Sequence, residues 1–494
     1  MHFVIASADF PVWLRATHWV NVFFMGLMIR SGIEILSSFP RLYFGETAKP
    51  GREVLKFTKK EYHTDRYYTT LQEEEKASPL IAQPGKSHLG LGRHWHFFGA
   101  MFWVANGIVY VALLFITNEW QRLVPTTWAI FPNAWWTIVA YLQFHLPAQS
   151  LYTGIYDPLQ QLSYFAVVFL LGPFLIATAA AQSPAMEAYF PWYAKIFGGR
   201  QGARLLHFLG LVAFVGFIIV HTFMIFVTGP QKNFGDIIFG QHTSQGGTAL
   251  AIGLSLIILT VAVYALTTWI SLRKPRVIQR VLGVFIRPWM ALLARKTISR
   301  QHYPSSEISP YFLINGGPPQ SEEYLELLWD GFREYKLPIS GLVEHPVTLT
   351  LDEIVAMPKQ TQITKHNCIQ GWTSIGEWGG VPMRHILDAV RPLPDAKYVV
   401  FHSYSNDTEG KPYYEAINME VARHPQTILA WEMNGHPLPM EHGAPLRLRA
   451  EALLGFKMVK WIRAIEFVET YSKVGEGSGG SREDNKYYEQ AVPI

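Results

Sequence analysis

The chain has 494 residues, of which 49% are hydrophobic, 14% aromatic and 16% charged. Soluble domains average roughly 25% charged residues and disordered chains are charge-rich and poor in aromatics, so neither description fits the whole chain. A formal charge of +4 is too small to argue for nucleic acid, and the single cysteine, Cys368, excludes an intrachain disulfide and any cysteine-rich zinc or iron–sulfur site.

A membrane-spanning helix needs ~20 mainly apolar residues. Five segments qualify. The first runs from about Pro11 to Leu36; its start lacks the basic residues of a signal peptide, so it is expected to be retained. The others are about 95–117, 160–181, 204–227 and 248–270. A further stretch, about 127–146, is rich in Trp but interrupted by Pro132 and Asn133, and is expected to lie at the lipid interface, a sixth span being the alternative. Residues 271–300 interleave basic and apolar side chains, as in a helix lying on lipid or on a domain face. From about 301 short β-branched runs (KYVVFHS, PLRLRAE, AIEFVET) alternate with Pro- and Gly-rich turns and helical patches. The expected fold is a membrane all-α bundle of about five transmembrane helices followed by a soluble α+β domain. The expected boundaries are 1–270 for the membrane domain, 271–304 for a basic amphipathic linker, 305–472 for the soluble domain and 473–494 for a C-terminal tail.

Five spans put the termini on opposite sides of the membrane. The N-terminal side carries Arg15, Arg122 and Lys232, whereas segments 37–94, 182–204 and 271–300 carry 21 Lys and Arg. The positive-inside rule then places the C-terminal domain in the cytoplasm.

Ionisable residues within spans are costly and point to function. His207 and His221 lie 14 residues apart on one predicted helix, which puts them ~40° from a common face and ~21 Å apart along the axis. Helix direction sets the depths of the others. His18 falls at the level of His221, and His96 at the level of His207. Each pair can supply two axial nitrogens to one b-type haem, neutral imidazole being a normal iron ligand. Gly99, Gly107, Gly210 and Gly216 could let a flat macrocycle approach the backbone. His94 is the weaker rival of His96, and His63, His88 and His145 are expected to be ordinary loop residues.

The segments RATHWVNVFFMGLMIRSG, RHWHFFGAMFWVANG and HFLGLVAFVGFIIVH resemble the di-haem cytochrome b subunits that anchor hydrogenases and formate dehydrogenases. The resemblance covers about 10–230. It implies two b haems on His18, His96, His207 and His221, paired as above, with quinone exchange near one of them. It also implies a cytoplasmic N-terminus, which conflicts with the charge count.

Cys368 sits in TKHNCIQGWTSIGEWGGVPM after a predicted strand. Three readings stand: a small buried hydrophobe, a soft thiolate ligand for a heavy metal, or a nucleophile. Further on, His442, Arg447, Lys457 and Lys460 alternate with Gly and Pro turns, as in an anion-binding loop set or a solvated basic face.

ISPYFLINGGPP, HNCIQGWTSIGEWGGVPM, YVVFHSYS and the run from EMNGHPLPMEHGAPLRL to FKMVKWI together resemble the sulfite oxidase family of molybdenum-pterin domains, over about 305–472. The resemblance implies Cys368 as the molybdenum ligand and the catalytic position. It implies that Phe312, Asn315 and Gly316 hold the pterin, with Ser403, His442, Arg447, Met458, Val459 and Lys460 contacting the pterin or its phosphate. The family uses molybdopterin without a nucleotide. Sulfite oxidases carry substrate-binding arginines before the asparagine of the first motif and shortly after the cysteine. Here those places hold Ile314 and the run Ile369 to Thr373. The departure moves the domain toward the bacterial branch that reduces sulfoxides such as methionine sulfoxide.

The expected function is a multi-pass oxidoreductase of a bacterial or archaeal cytoplasmic membrane. Electrons would pass from quinol through the His18/His221 haem and the His96/His207 haem to molybdenum. Expected partners are membrane lipid, quinone or quinol, a small oxygen-atom donor or acceptor and, as an option, a second copy in a homodimer. Alternatives are a sulfite or other oxyanion dehydrogenase feeding quinone, a histidine-bearing permease with a regulatory cytosolic domain, and an electron conduit whose soluble domain only docks a partner. No N-terminal twin arginine occurs, which agrees with a cytoplasmic molybdenum domain.

Overall fold

The structure, a computed structural model, describes residues 10–152, 154–241, 245–294 and 301–489. The start without basic residues, the end of the basic linker (295–300) and the end of the expected tail (490–494) lie outside the described residues. The chain divides into two compact units. One comprises Met1–Ser31, Trp95–Ala180 and Leu206–Ile270; the other comprises Gly32–His94, Ala181–Leu205 and Ser271–Ile494.

Among the described residues, five helices are long and apolar enough to cross a membrane: Val12–Ser38, Leu89–Ile116, Pro158–Ala180, Gly199–Val227 and Gly246–Arg273. In the first unit their outward faces carry large apolar side chains such as Ile219, Phe223, Ile258 and Val261, which a lipid environment accepts. Between the helices Met25, Leu175 and Phe214 form the core. Some of the polar groups between the helices are paired: Trp103 Nε1 donates to Asn21 Oδ1 at 2.7 Å, and Asn106 Nδ2 donates to Thr17 O at 3.0 Å. Tyr264 lies so close to Gly26 that a Cβ there would meet its hydroxyl at 2.5 Å. The third span begins cleanly, with Asp157 accepting from Gln160 N at 2.9 Å and Pro158 in the first turn. It widens to a π-helical stretch at Ala166–Leu171, just before Pro173, which has no N–H to continue the ladder. The Trp-rich segment forms a helix over Ile130–Leu142, 13 residues or ~20 Å, too short to span ~30 Å of hydrocarbon.

The second unit holds a two-strand ladder, β1 (Arg41–Leu42) with β2 (Leu55–Lys56), and two five-stranded sheets. The remaining strands are β3 (Lys336–Gly341), β4 (Val347–Thr350), β5 (Gln360–Asn367), β6 (Thr373–Pro382), β7 (Tyr398–Asn406), β8 (Pro412–Asn418), β9 (Thr427–Met433), β10 (His436–Pro437), β11 (Arg447–Ala450) and β12 (Ile462–Val468). One sheet has the order β10-β9-β6-β5, with β11 also paired to β9; the other has the order β4-β3-β12-β7-β8, with β12 parallel to β3. Their shared core joins Leu337, Phe401 and Ile465 of one sheet to Val381, Leu429 and Leu448 of the other. The apolar face of helix Met383–Val390 (Met383, Ile386, Leu387, Val390) packs into the same core. A capping box between Thr350 and Glu353 starts the helix that follows β4.

Two expectations about boundaries, those of the membrane domain and of the tail, need correction. Residues 32–94 and 181–205, assigned above to the membrane domain, pack with the soluble unit: Ala48 N donates to Thr373 O at 2.9 Å, Thr70 N donates to Ile314 O at 2.8 Å, and Lys365 pairs with Glu46 and Glu187. The linker is a helix, Pro275–Ala294, that buries Ile278, Leu282 and Ile286 on one face and exposes Val277, Val281, Val284 and Trp289 on another. The expected tail is built into the unit as far as Glu489. Helix Ser481–Lys486 buries Glu483 against Lys457, and Glu489 bonds His94 Nε2 at 2.9 Å and Arg287 at 3.0 Å. The Gly- and Ser-rich run that suggested a tail is a tight loop, with Gly475, Gly477 and Gly479 at positive φ.

Candidate functional site

In the membrane unit the four histidines form two facing pairs. The ring centroids of His18 and His221 are 6.5 Å apart, and those of His96 and His207 are 6.4 Å apart. Two metal–imidazole bonds of about 2.0 Å, plus about 1.2 Å from each nitrogen to its ring centre, place axial ring centroids about 6.4 Å apart. The pairs therefore fit a shared iron. Three of the four rings have Nδ1 engaged by the helices: His96 by Ser31 Oγ at 3.1 Å, His207 by Thr178 Oγ1 and Leu175 O at 3.1 Å each, and His221 by the Tyr164 hydroxyl at 3.3 Å. A metal held by these rings would take Nε2. His94, the rival, is instead bonded through both nitrogens, to Gly90 O and Glu489. Of the four glycines, Gly107 and Gly216 face open space, whereas Gly99 and Gly210 pack against Met28 and Leu175 and serve helix contact.

In the soluble unit Cys368 sits in the turn that joins β5 to β6, held by Cys368 N to Trp372 O and Gly371 N to Cys368 O, both at 3.0 Å. It is a free thiol, 2% exposed, packed among Phe39, Tyr43, Leu313 and Trp372. Burial pushes the thiol up to about 11. Asn315 Nδ2 approaches Sγ at 3.6 Å and Gln370 Oε1 lies 3.7 Å from it.

Beside the cysteine lies a cavity of about 620 Å³. It is lined by Phe312, Asn315, Gly316, Ser403, His442, Arg447, Met458, Val459 and Lys460, so the structure brings every pterin position of the sequence reading except Cys368 onto one cavity wall. Cys368 stands one layer behind, reached through Asn315. Gly316 adopts φ +77° with nothing within 4 Å of a Cβ, leaving backbone open to the cavity. Gly455 makes room in another way: a Cβ there would come within 2.1 Å of His366 Nε2.

The cavity is electropositive. Burial and the charge of Arg449 hold His366 well below the usual histidine range, and burial with Lys460 does the same to His442. Burial, then Arg449, lowers Arg447; burial, then Arg447, lowers Lys460. Arg449 is neutralised by Glu451 at 2.7 Å. Arg447 donates to His442 O at 3.0 Å, but its buried Nε has no hydrogen-bond partner among the described residues. Such a set fits a bound phosphate and a polar heterocycle, and the soft thiol fits molybdenum. Lys457, read above with the anion-binding group, is a correction: it is buried on Glu415 Oε2 at 2.9 Å and Glu483, away from the cavity lining.

Sequence reasoning missed several neighbours. Gln370 Nε2 donates to Ser38 O at 3.0 Å and Glu74 at 3.1 Å, and its Oε1 accepts from Thr70 Oγ1 at 2.8 Å. Gln201 Nε2 donates to Gly371 O at 2.9 Å, and Arg204 fixes Phe39 O and Arg41 O at 2.6 and 2.7 Å. His366 stacks on Trp372 at 5.3 Å and meets Phe312 at 5.5 Å. Only the His366 position, two residues before the cysteine, carried a local signal.

Residues 9–240 match the family model described as prokaryotic cytochrome b561, and residues 327–474 match that of the oxidoreductase molybdopterin binding domain. The chain is 39% identical over 31% of its length to a putative protein-methionine-sulfoxide reductase subunit YedZ1 of Azospira oryzae, of which 54% is covered. It is 35% identical over 27% of its length to the protein-methionine-sulfoxide reductase catalytic subunit MsrP of Xanthomonas campestris (45% covered) and 31% identical over 28% to that of Campylobacter jejuni (51% covered). The chain thus spans about half the length of these curated relatives. Among solved structures, the sulfane dehydrogenase SoxCD of Paracoccus pantotrophus aligns over 38% of this chain and 53% of its own, at 22% identity and a TM-score of 0.27. Five apolar helices, a sheet-rich unit and these two matches identify one chain that joins a cytochrome b561 domain to a molybdopterin-binding oxidoreductase domain.

Proposed function

We propose that the chain is a membrane-bound molybdenum oxidoreductase that passes electrons from quinol through two b haems to a molybdopterin centre reducing a sulfoxide, methionine sulfoxide above all. The observation that carries this reading is the coexistence, in one chain, of two facing imidazole pairs and a buried thiol beside a cationic cavity. The named relatives support the substrate class.

His18 with His221 and His96 with His207 would hold the haems. Cys368 would bind molybdenum as a thiolate, losing its proton, with Asn315 Nδ2 donating to the sulfur. Arg447 and Lys460 would meet the phosphate of the cofactor, and Phe312, His366 and His442 would wall its ring system. Bound there, the metal centre supplies two-electron oxygen-atom transfer and the haems divide it into single-electron steps. Ile314 and the run Ile369 to Thr373 stand where the sulfite oxidases carry arginine, so these places offer no charge to an anionic substrate, which supports an uncharged sulfoxide. The second reading, oxidation of sulfite or another oxyanion toward quinone, is favoured by Arg482, which lines the same cavity. The excess of Lys and Arg in segments 37–94, 182–204 and 271–300 supports a bacterial inner-membrane protein with this unit on the cytoplasmic side. An active alkaline phosphatase fusion at residue 300 would reverse that placement.

The test is iron and molybdenum per chain on detergent-purified protein, with a dithionite-reduced spectrum. Two irons, one molybdenum, a b-type α-band and dye-linked reduction of methionine sulfoxide are expected. Sulfite oxidation without sulfoxide reduction would select the second reading, and absence of haem would refute both.

A further inference from the structure

Resting on the two-haem reading, the two imidazole pairs differ in what holds the second ring nitrogen. Ser31 Oγ gives its own proton to Leu27 O at 2.8 Å, so toward His96 Nδ1, 3.1 Å away, it accepts. Thr178 Oγ1 donates to Phe174 O at 2.9 Å and accepts from His207 Nδ1 at 3.1 Å, and Leu175 O shares that N–H at 3.1 Å. Both rings are thereby fixed with the proton on Nδ1. At the other pair the hold is slack. His18 Nδ1 is buried with no hydrogen-bond partner among the described residues, and the partner of His221 Nδ1 is the Tyr164 hydroxyl at 3.3 Å.

An Nδ1–H···O bond sends electron density through the imidazole to Nε2. The ring becomes a stronger donor and favours oxidised iron, which lowers the reduction potential. Fixed cations accompany both pairs along their helices: Arg15 stands three residues before His18, Arg93 three before His96 and Arg204 three before His207, so what distinguishes the pairs is the ring hydrogen bonds and not the presence of a cation. We infer that Ser31, Thr178 and the Leu175 carbonyl are positioning groups that make the haem held by His96 and His207 the lower-potential one of the two. Electrons then run downhill from the His96/His207 pair to the His18/His221 pair. In the reductase direction the step between haems runs uphill and must be pulled by the substrate couple.

The test is a potentiometric titration of the full-length, haem-loaded protein, followed at the α-band. Two waves are expected. Ser31→Ala and Thr178→Val each raise the lower wave and leave the upper one in place, whereas Ser31→Thr and Thr178→Ser, which keep the hydroxyl, restore it. Tyr164→Phe moves the upper wave alone. A shift of the upper wave by Ser31→Ala or Thr178→Val overturns the inference, as does a double variant that moves neither wave, or coincident waves in the unsubstituted protein. Fewer than two haems per chain by haem extraction would instead sink the two-haem reading, and this inference with it.

Discussion

The membrane unit and the soluble unit treat buried polarity in opposite ways. In the first, the candidate ligands are imidazole rings rather than fixed charges, and at the His96/His207 pair hydroxyls and a carbonyl hold the second ring nitrogen. In the second, Arg447 and Lys460 lie beside each other on one cavity wall, and the charge of Arg447 repels that of Lys460, a repulsion that a bound anion would relieve. The difference teaches where each cofactor's binding energy would come from. In one unit it is geometry set by helix spacing. In the other it is relief of stored repulsion.

The sharpest way to break this contrast is to remove one ligand from each side. Cys368→Ser should abolish substrate turnover while both haems and the α-band remain; a protein that still turns over would exclude molybdenum at this thiol. His207→Ala should halve the α-band and the extracted haem and leave molybdenum content unchanged. Loss of both haems together would mean that the two pairs are not independent sites.

Two lysines three residues apart sharpen the comparison inside the soluble unit. Lys457 is paired with Glu415 and Glu483, so Lys457→Met should leave buried carboxylates unpaired and cost about 3–5 kcal/mol in chemical denaturation. Lys460→Met removes a cation that is repelled by Arg447. It should raise the thermal midpoint of cofactor-free protein and weaken cofactor retention by about 10- to 100-fold, the worth of a charged hydrogen bond of about 1.5–3 kcal/mol. Equal destabilisation by the two substitutions would show that the cavity carries no excess charge. The smallest effect is expected at Gly455→Ala, which forces His366 aside and should cost about 1–3 kcal/mol, read as a lowered unfolding midpoint.

How legible each site was in the sequence follows from the same contrast. The histidine pairs could be read because a helix turns spacing into depth and face, and His207 and His221 carry their geometry in a 14-residue interval. The cysteine and the cation loop could be read as a motif, but not the division of labour within it. Lys457 and Lys460 look alike in the chain, and only the fold shows that one faces Glu415 and the other the cavity. Thr70, Gln201 and Glu74 had no local signal at all. They reach the cysteine loop across 170 to 300 residues, and no periodicity marks a loop residue for a contact that distant. The Gly-rich run near 475–480 misled for a related reason. Glycines that permit a tight return look, in composition, like those of a loose end.

The soluble unit is assembled from three separated pieces of chain, and this bears on the order of events in the cell. Thr70 and Gln370 are 300 residues apart, and at about 5–20 residues per second the ribosome needs roughly 15–60 s to pass from one to the other. During that interval the segment carrying Ser38, Thr70 and Glu74 waits without the turn it will hold, while several hydrophobic helices emerge after it. The wall around Cys368 can close only once translation has passed Gln370, and the Glu483–Lys457 clasp forms later still. A cofactor that needs this wall can therefore be enclosed only late in synthesis, after the chain has passed Gln370.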